Sequence, residues 1–202
     1  TELATLCSRF PLVDSFVVNE GELGFANIIA AALSNRQNMW KSEIDGVAFS
    51  KDNNFAIGKP VGLTLDLDEL PSPYLDGFLD PFLKGDYLPI LQTSRLCPYT
   101  CAFCVSGKNR GKLRAFNNEM VKEEMNYVFK HFVEKSHYRL YLADENFGVL
   151  KRDIEIAEHL LWCSENIGYP KSIFFYNDKR FTETSRKIQE ILAPLSTHGV
   201  AL

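Results

Sequence analysis

The chain is short of cysteine where a closed metal site would need one more. Three thiols crowd into Leu96-Cys97-Pro98-Tyr99-Thr100-Cys101-Ala102-Phe103-Cys104, and no fourth stands near. That absence argues against a structural zinc cage, which closes with four ligands. It argues equally against an ordinary all-cysteine 4Fe–4S centre. Three thiolates can anchor such a cluster and leave one iron with an open position for a substrate or cofactor. Cys7 and Cys163 stand alone, so the five cysteines make no disulfide framework and suit a reducing, cytoplasmic compartment. Cys163 shares an apolar pattern with Ile154, Ala157, Leu160 and Leu161 and reads as a small core residue.

Other absences narrow the class. No run of 18 apolar residues occurs and no basic-then-apolar leader opens the chain, which argues against a membrane span or a secretory signal. The net charge of −4 and the lack of basic–aromatic alternation argue against nucleic acid as a partner. That charge is unevenly spread: residues 1–90 hold 6 Lys/Arg against 13 Asp/Glu, and residues 91–202 hold 16 against 13. From Arg95 to Asn118 there is no acid at all, only Arg95, Lys108, Arg110, Lys112 and Arg114 among charged residues. A solvated loop fits that run, and so does a surface that attracts an anionic ligand or an acidic electron donor. The four histidines, His131, His137, His159 and His198, all lie in the second half, and three fall in or beside predicted helices. They read as surface or helix-end groups rather than metal ligands.

What is present divides into two parts. In residues 1–65, Val13–Val18 reads as a strand, Phe25–Leu33 as a helix, and Gly46–Phe49 with Phe55–Ile57 as a hairpin. Residues 66–86, with Pro71 and Pro73, read as an ordered, extended linker. From 87 to 202 a strand-then-helix rhythm sets in. Strands are expected at 87–93, 138–143 and 172–176, and helices at 118–135, 153–167 and 183–192. This is an α/β pattern of three parallel βα units, half of a partial TIM-type barrel. Reactive groups of such barrels sit at the C-terminal strand ends. The cysteine loop follows the first strand, Asp144-Glu145-Asn146 the second, and Asn177-Asp178-Lys179-Arg180 the third.

Cys97-x3-Cys101-x2-Cys104, with Phe103 before the last cysteine and a strand ahead, resembles the cluster motif of radical S-adenosylmethionine enzymes. The resemblance implies a 4Fe–4S cluster on Cys97, Cys101 and Cys104, with S-adenosylmethionine on the open iron and Phe103 beside it. It implies one-electron cleavage of a carbon–sulfur bond to an adenosyl radical, fed by a donor such as flavodoxin or ferredoxin. Ala143-Asp144-Glu145-Asn146-Phe147 resembles the Asp-Asp-Asn-Phe form of cobalamin-associated members. There the family binds the methionyl amino group, so Asp144 or Glu145 is the expected carboxylate, with Asn146 beside it. Asn177 and its loop are candidates for the ribose, the carboxylate or the substrate.

The segments Val17–Glu22, Leu67–Tyr74 and Thr93–Arg95 resemble the join between a Rossmann-like cobalamin-binding domain and a radical barrel. One departure stands out: the Asp-x-His-x-x-Gly motif that often supplies an axial histidine is absent. Either the chain begins midway through that domain or the domain is degenerate. The missing initiator Met and the three-unit barrel favour a fragment cut at both ends. The expectation is therefore a radical enzyme, with cobalamin-dependent methyl transfer as its reaction if that cofactor binds. The competing readings are a non-catalytic iron–sulfur electron-transfer or scaffold protein, with Cys163 or Cys7 as fourth ligand, and a structural zinc domain.

Overall fold

The computed structural model describes residues 2–51, 54–63, 66–104, 112–134 and 139–197. The chain forms two compact units, Thr1–Thr64 and Leu65–Leu202. Lys108, Arg110, His137, Tyr138 and His198 lie outside the described residues.

The first unit contains α1 (Glu2–Arg9), β1 (Ser15–Val17), α2 (Gly21–Asn35), β2 (Val47–Lys51) and β3 (Asn54–Ile57). Its sheet has the order β1-β2-β3 and both pairings are antiparallel, with Phe16 opposite Ala48 and Phe49 opposite Ala56. Ile44, Val47 and Phe49 form a small core against Ile28, Ala31 and Trp40, whose ring centre is 4.9 Å from that of Phe49. Gly24 is required where α2 meets the sheet: a Cβ there would lie 2.6 Å from Val17 Cγ1. The helix and hairpin match the sequence pattern, but a Rossmann-like domain is built on parallel strands. Among the described residues this unit has none. The Val13–Val18 and 47–57 segments alternate too briefly to reveal their pairing sense.

The second unit opens with residues 66–86, which are folded rather than extended. A 3-10 turn spans Leu67–Glu69, α3 spans Asp80–Leu83, and Leu67 and Leu83 are buried. The Tyr74 hydroxyl donates to Ile90 O at 2.8 Å, Tyr127 donates to Asp80 at 2.6 Å, and Ser72 donates to Glu124. These side-chain contacts hold the proline-containing segment in place, and no local pattern announces them.

The remainder comprises β4 (Ile90–Leu91), β5 (Ser94–Arg95), β6 (Arg114–Ala115), α4 (Asn118–Lys130), β7 (Arg139–Phe147), α5 (Asp153–Asn166), β8 (Ser172–Asn177), α6 (Glu183–Leu192) and β9 (Ser196–Thr197). The order β4-β7-β8-β9 is parallel throughout, with a helix between each pair of neighbours. In α4, Val121, Met125, Val128 and Phe129 recur at helical spacing and are all buried. Asn117 caps that helix by accepting from Glu119 N at 2.8 Å. α5 turns Ile156, Ala157, Leu160 and Cys163 inward and ends at Gly168, whose φ of +93° suits glycine. α6 opens on a reciprocal Thr182–Ser185 cap and buries Ile188 and Leu192. These faces meet Leu140, Leu142, Ile173 and Phe175 in one core, where each fully buried Leu or Phe contributes about 1.5–3 kcal/mol.

Several boundaries differ from expectation: α2 spans Gly21–Asn35 rather than Phe25–Leu33, α4 stops at Lys130 rather than at residue 135, and two strands near the cysteines change more. The first strand is only Ile90–Leu91, because the chain then turns into a second ladder, Ser94 opposite Ala115 and Arg95 opposite Arg114. The second strand does not stop at Ala143 but runs to Phe147 through an irregular stretch, since its pairing with β8 shifts between Leu142 and Phe147. Asp144, Glu145 and Asn146 therefore occupy a bulged strand, not a loop. Bulges of this kind re-aim side chains at strand ends.

Candidate functional site

The cysteine loop leaves the end of β4 and is closed at its base by the β5–β6 ladder. Leu96, just before Cys97, has φ +71° and is nonetheless buried. A left-handed leucine costs about 1–2 kcal/mol, so the surrounding packing fixes this reversal, as is common beside functional loops. Cys97 is 5% exposed, whereas Cys101 and Cys104 are partly exposed and share a turn, Cys104 N donating to Cys101 O at 3.0 Å. Phe103 projects outward and is 88% exposed.

Two N–H groups point at the Cys97 sulfur. Tyr99 N donates at 3.4 Å, and Asn146 Nδ2 donates from the bulge of β7. Asn146 Oδ1 in turn accepts from Lys179 Nζ at 3.2 Å. Lys179 and Arg180 follow β8 and, with Pro98, Tyr99, Thr100 and Cys101, line a cleft of about 420 Å³. Tyr99 ties the loop to the same strand end: its hydroxyl donates to Asp178 at 2.6 Å, and the Arg180 guanidinium lies 4.7 Å from its ring centre. Burial, then the Asp178 contact, pushes the Tyr99 phenol up to about 12, so it stays protonated as a donor.

Asp144 sits behind this surface rather than on it. It is 1% exposed and accepts from Thr93 N at 2.6 Å, Thr93 Oγ1 at 2.5 Å, Ser94 N at 3.3 Å and Ser94 Oγ at 2.9 Å. Burial raises its pKa and these donors oppose the rise. Both oxygens are thus engaged in holding the chain that enters the cysteine loop. Glu145 is partly exposed beside it. Arg152 holds the same neck from the start of α5, donating to Thr93 O at 2.6 Å, Phe116 O at 2.9 Å and Asn118 Oδ1 at 2.6 Å. Asn177 is the last residue of β8, paired with Phe147, and its buried Oδ1 has no hydrogen-bond partner among the described residues.

Cys163 lies elsewhere. Its thiol is enclosed in the core near the end of α5, 3.4 Å from His159 Nε2 and 3.5 Å from Asn126 Oδ1, and burial pushes it up to about 12. Enclosed in this way, it is excluded as a fourth ligand for the loop. His131 Nδ1 donates to Tyr127 O at 2.9 Å, and His159 stacks on Trp162, so both described histidines have local structural partners.

A cluster fits the chemistry of this loop: three closely spaced thiols, one of them buried and receiving two N–H groups, with cations on the rim. Among the described residues no three His, Cys, Asp or Glu side chains are already gathered as a metal site. The fit therefore rests on donor chemistry rather than on a preformed sulfur triangle. Sequence reasoning missed Tyr99, Asp144 as a clamp, and Arg152. Only the arginine gave a signal, as a cation at the wrong end of a helix.

Over 82% of its length the chain is similar to cobalamin-dependent radical S-adenosylmethionine methyltransferases, a likeness that the cysteine motif, the parallel sheet and the loop position fit. It is 33% identical over 173 residues to 2-(S-pantetheinyl)-carbapenam-3-carboxylate methyltransferase of Streptantibioticus cattleyicolor. It is 30% identical over 172 residues to the cobalamin-dependent radical SAM methyltransferase TokK of Streptomyces tokunonensis. In both cases 82% of this chain aligns and it spans 24% of the relative. The fold matches that of TsrM from Kitasatospora setae, a radical S-adenosylmethionine methyltransferase solved with cobalamin and a [4Fe-4S] cluster. That match has a TM-score of 0.62 at 14% identity, covering 98% of this chain and 38% of TsrM. No protein-family model matches the chain. Among the described residues, no helix is long and apolar enough to cross a membrane.

Proposed function

We propose that this chain is the cluster-bearing part of a radical S-adenosylmethionine enzyme whose reaction is cobalamin-dependent methyl transfer. The observation that carries this reading is the buried Cys97, first of the three motif cysteines, at the C-terminal edge of a parallel sheet with amide donors on its sulfur. The likeness to the two methyltransferases supports it. In this reading residues 87–202 are the first half of a TIM-type barrel and 66–86 the connection to it. Residues 1–65 are the C-terminal part of a cobalamin-binding-like domain.

Cys97, Cys101 and Cys104 hold the 4Fe–4S cluster, which supplies the electron that cleaves S-adenosylmethionine. Glu145 faces the ligand ammonium, a charge-assisted contact, while Lys179 and Arg180 on the cleft rim attract its carboxylate. Phe103 and Asn177 are the further cofactor contacts. Tyr99, Asp144 and Arg152 hold the loop in register. The first 65 residues contain no histidine, so they offer cobalamin no imidazole, and its assignment rests on the likeness to the relatives. A flavodoxin or ferredoxin in a reducing cytoplasm is the electron donor.

The test is anaerobic reconstitution of the full-length protein with iron and sulfide, then incubation with S-adenosylmethionine and a low-potential reductant. The expected result is about four irons per chain and conversion to 5′-deoxyadenosine or S-adenosylhomocysteine. Full iron loading without consumption of S-adenosylmethionine would sink the enzyme assignment.

A further inference from the structure

Asn146, expected beside the carboxylate that meets S-adenosylmethionine, reaches toward the cysteine loop. It is 3% exposed, and its amide joins two groups from different strand ends. The Nδ2 donates to the Cys97 sulfur and the Oδ1 accepts from the Lys179 ammonium at 3.2 Å. The bulge in β7 makes this reach possible, because it breaks the alternation that otherwise sets side-chain direction. Of the three motif cysteines, only Cys97 is buried.

We propose that Asn146, polarised by Lys179, is a positioning and tuning residue that sets the reduction potential of the cluster through Cys97. This rests on the cluster assignment made above. An N–H donated to a cysteine sulfur withdraws electron density from it, and such bonds are among the factors that set iron–sulfur potentials. The reduced cluster carries one more negative charge than the oxidised one, so it gains more from the donor and from the ammonium behind it. In this sheltered position the effect is screened less than at an open surface. Removing either group therefore makes the cluster harder to reduce. The lysine acts through the amide: its cation draws on Oδ1 and makes the Nδ2 hydrogens better donors.

The measurement is an anaerobic redox titration of the reconstituted full-length protein, followed by electron paramagnetic resonance without S-adenosylmethionine, alongside iron and sulfide analysis. Asn146→Leu keeps the size of the side chain and removes both polar groups. It should shift the reduction equilibrium about tenfold against reduction, ~59 mV more negative for one electron. Lys179→Met should shift it the same way by a smaller factor, and Lys179→Arg should restore most of the wild-type value. Unchanged potentials in Asn146→Leu and Lys179→Met, with full iron content, would overturn the proposal. So would loss of the cluster from Asn146→Leu combined with a wild-type potential in Lys179→Met, an exposed position that tolerates change. Failure of the wild-type protein to take up a cluster is a separate result, and it counts against the function proposed above.

Discussion

Cys97 and Cys163 are both buried, one at the C-terminal edge of the sheet and the other near the far end of α5. Their surroundings differ in kind. Cys163 belongs to the same core cluster as Ile156, Leu160, Phe129 and Tyr169; burial holds its thiol neutral, and it donates to Asn126 Oδ1 at 3.5 Å. Cys97 sits in a loop with two N–H groups aimed at its sulfur and cations one residue further out. Burial alone does not distinguish a packing thiol from a ligand thiol; the orientation of neighbouring donors does.

The sharpest way to break this comparison is to remove each sulfur in turn. Cys97→Ala or Cys101→Ala should abolish the cluster's absorbance and iron content in the reconstituted protein while leaving the helical circular dichroism intact. Cys163→Ala should do the reverse, keeping full iron and losing about 1 kcal/mol of stability in denaturant unfolding. Retention of iron by Cys101→Ala, or its loss from Cys163→Ala, would erase the distinction.

The helix faces were legible because Val121, Met125 and Val128 recur at helical spacing, and Leu140 and Leu142 alternate as a strand requires. The bulge was not. Asp144-Glu145-Asn146 is polar, and three consecutive polar residues after an apolar run read as a loop whatever their backbone does. Side-chain direction was equally hidden. Tyr99 meets Asp178 across 79 positions and Asn146 meets Cys97 across 49, and no local spacing encodes either contact. The residue types drew attention to these strand ends, while the contacts each side chain makes depended on where it pointed.

Asp144 shows this most clearly and provides the next test. If it clamps Thr93 and Ser94, Asp144→Ala strands four donors in a buried place and should cost about 3 kcal/mol. Cluster uptake should fall with it, because the neck of the loop is no longer held. A ligand carboxylate would behave differently, leaving the unfolding midpoint in place and weakening only S-adenosylmethionine binding. Denaturant titration of the iron-free protein separates the two without any cofactor present.

A last test compares the two ends of α5. At its far end Cys163 is neutral throughout the accessible pH range, whereas Asp153 at its start titrates within it. Asp153 is 2% exposed, and its Oδ2 accepts from Gly148 N at 2.9 Å and Leu150 N at 3.0 Å. Burial outweighs those donors and raises its pKa to about 6. The folded protein therefore holds this proton more tightly than the unfolded chain, whose carboxyl titrates near 4. Its contribution to stability is fully present below about pH 4 and is lost as pH rises to about 6. The slope is about 1 kcal/mol per pH unit at its steepest, and it flattens above that window. Asp153→Asn mimics the protonated form, so the difference between variant and wild type should grow from pH 4 to pH 6 and then stay constant. A constant difference across the whole range, measured by urea unfolding, would show that Asp153 titrates normally and that burial at this end of the helix is as inert as at the other.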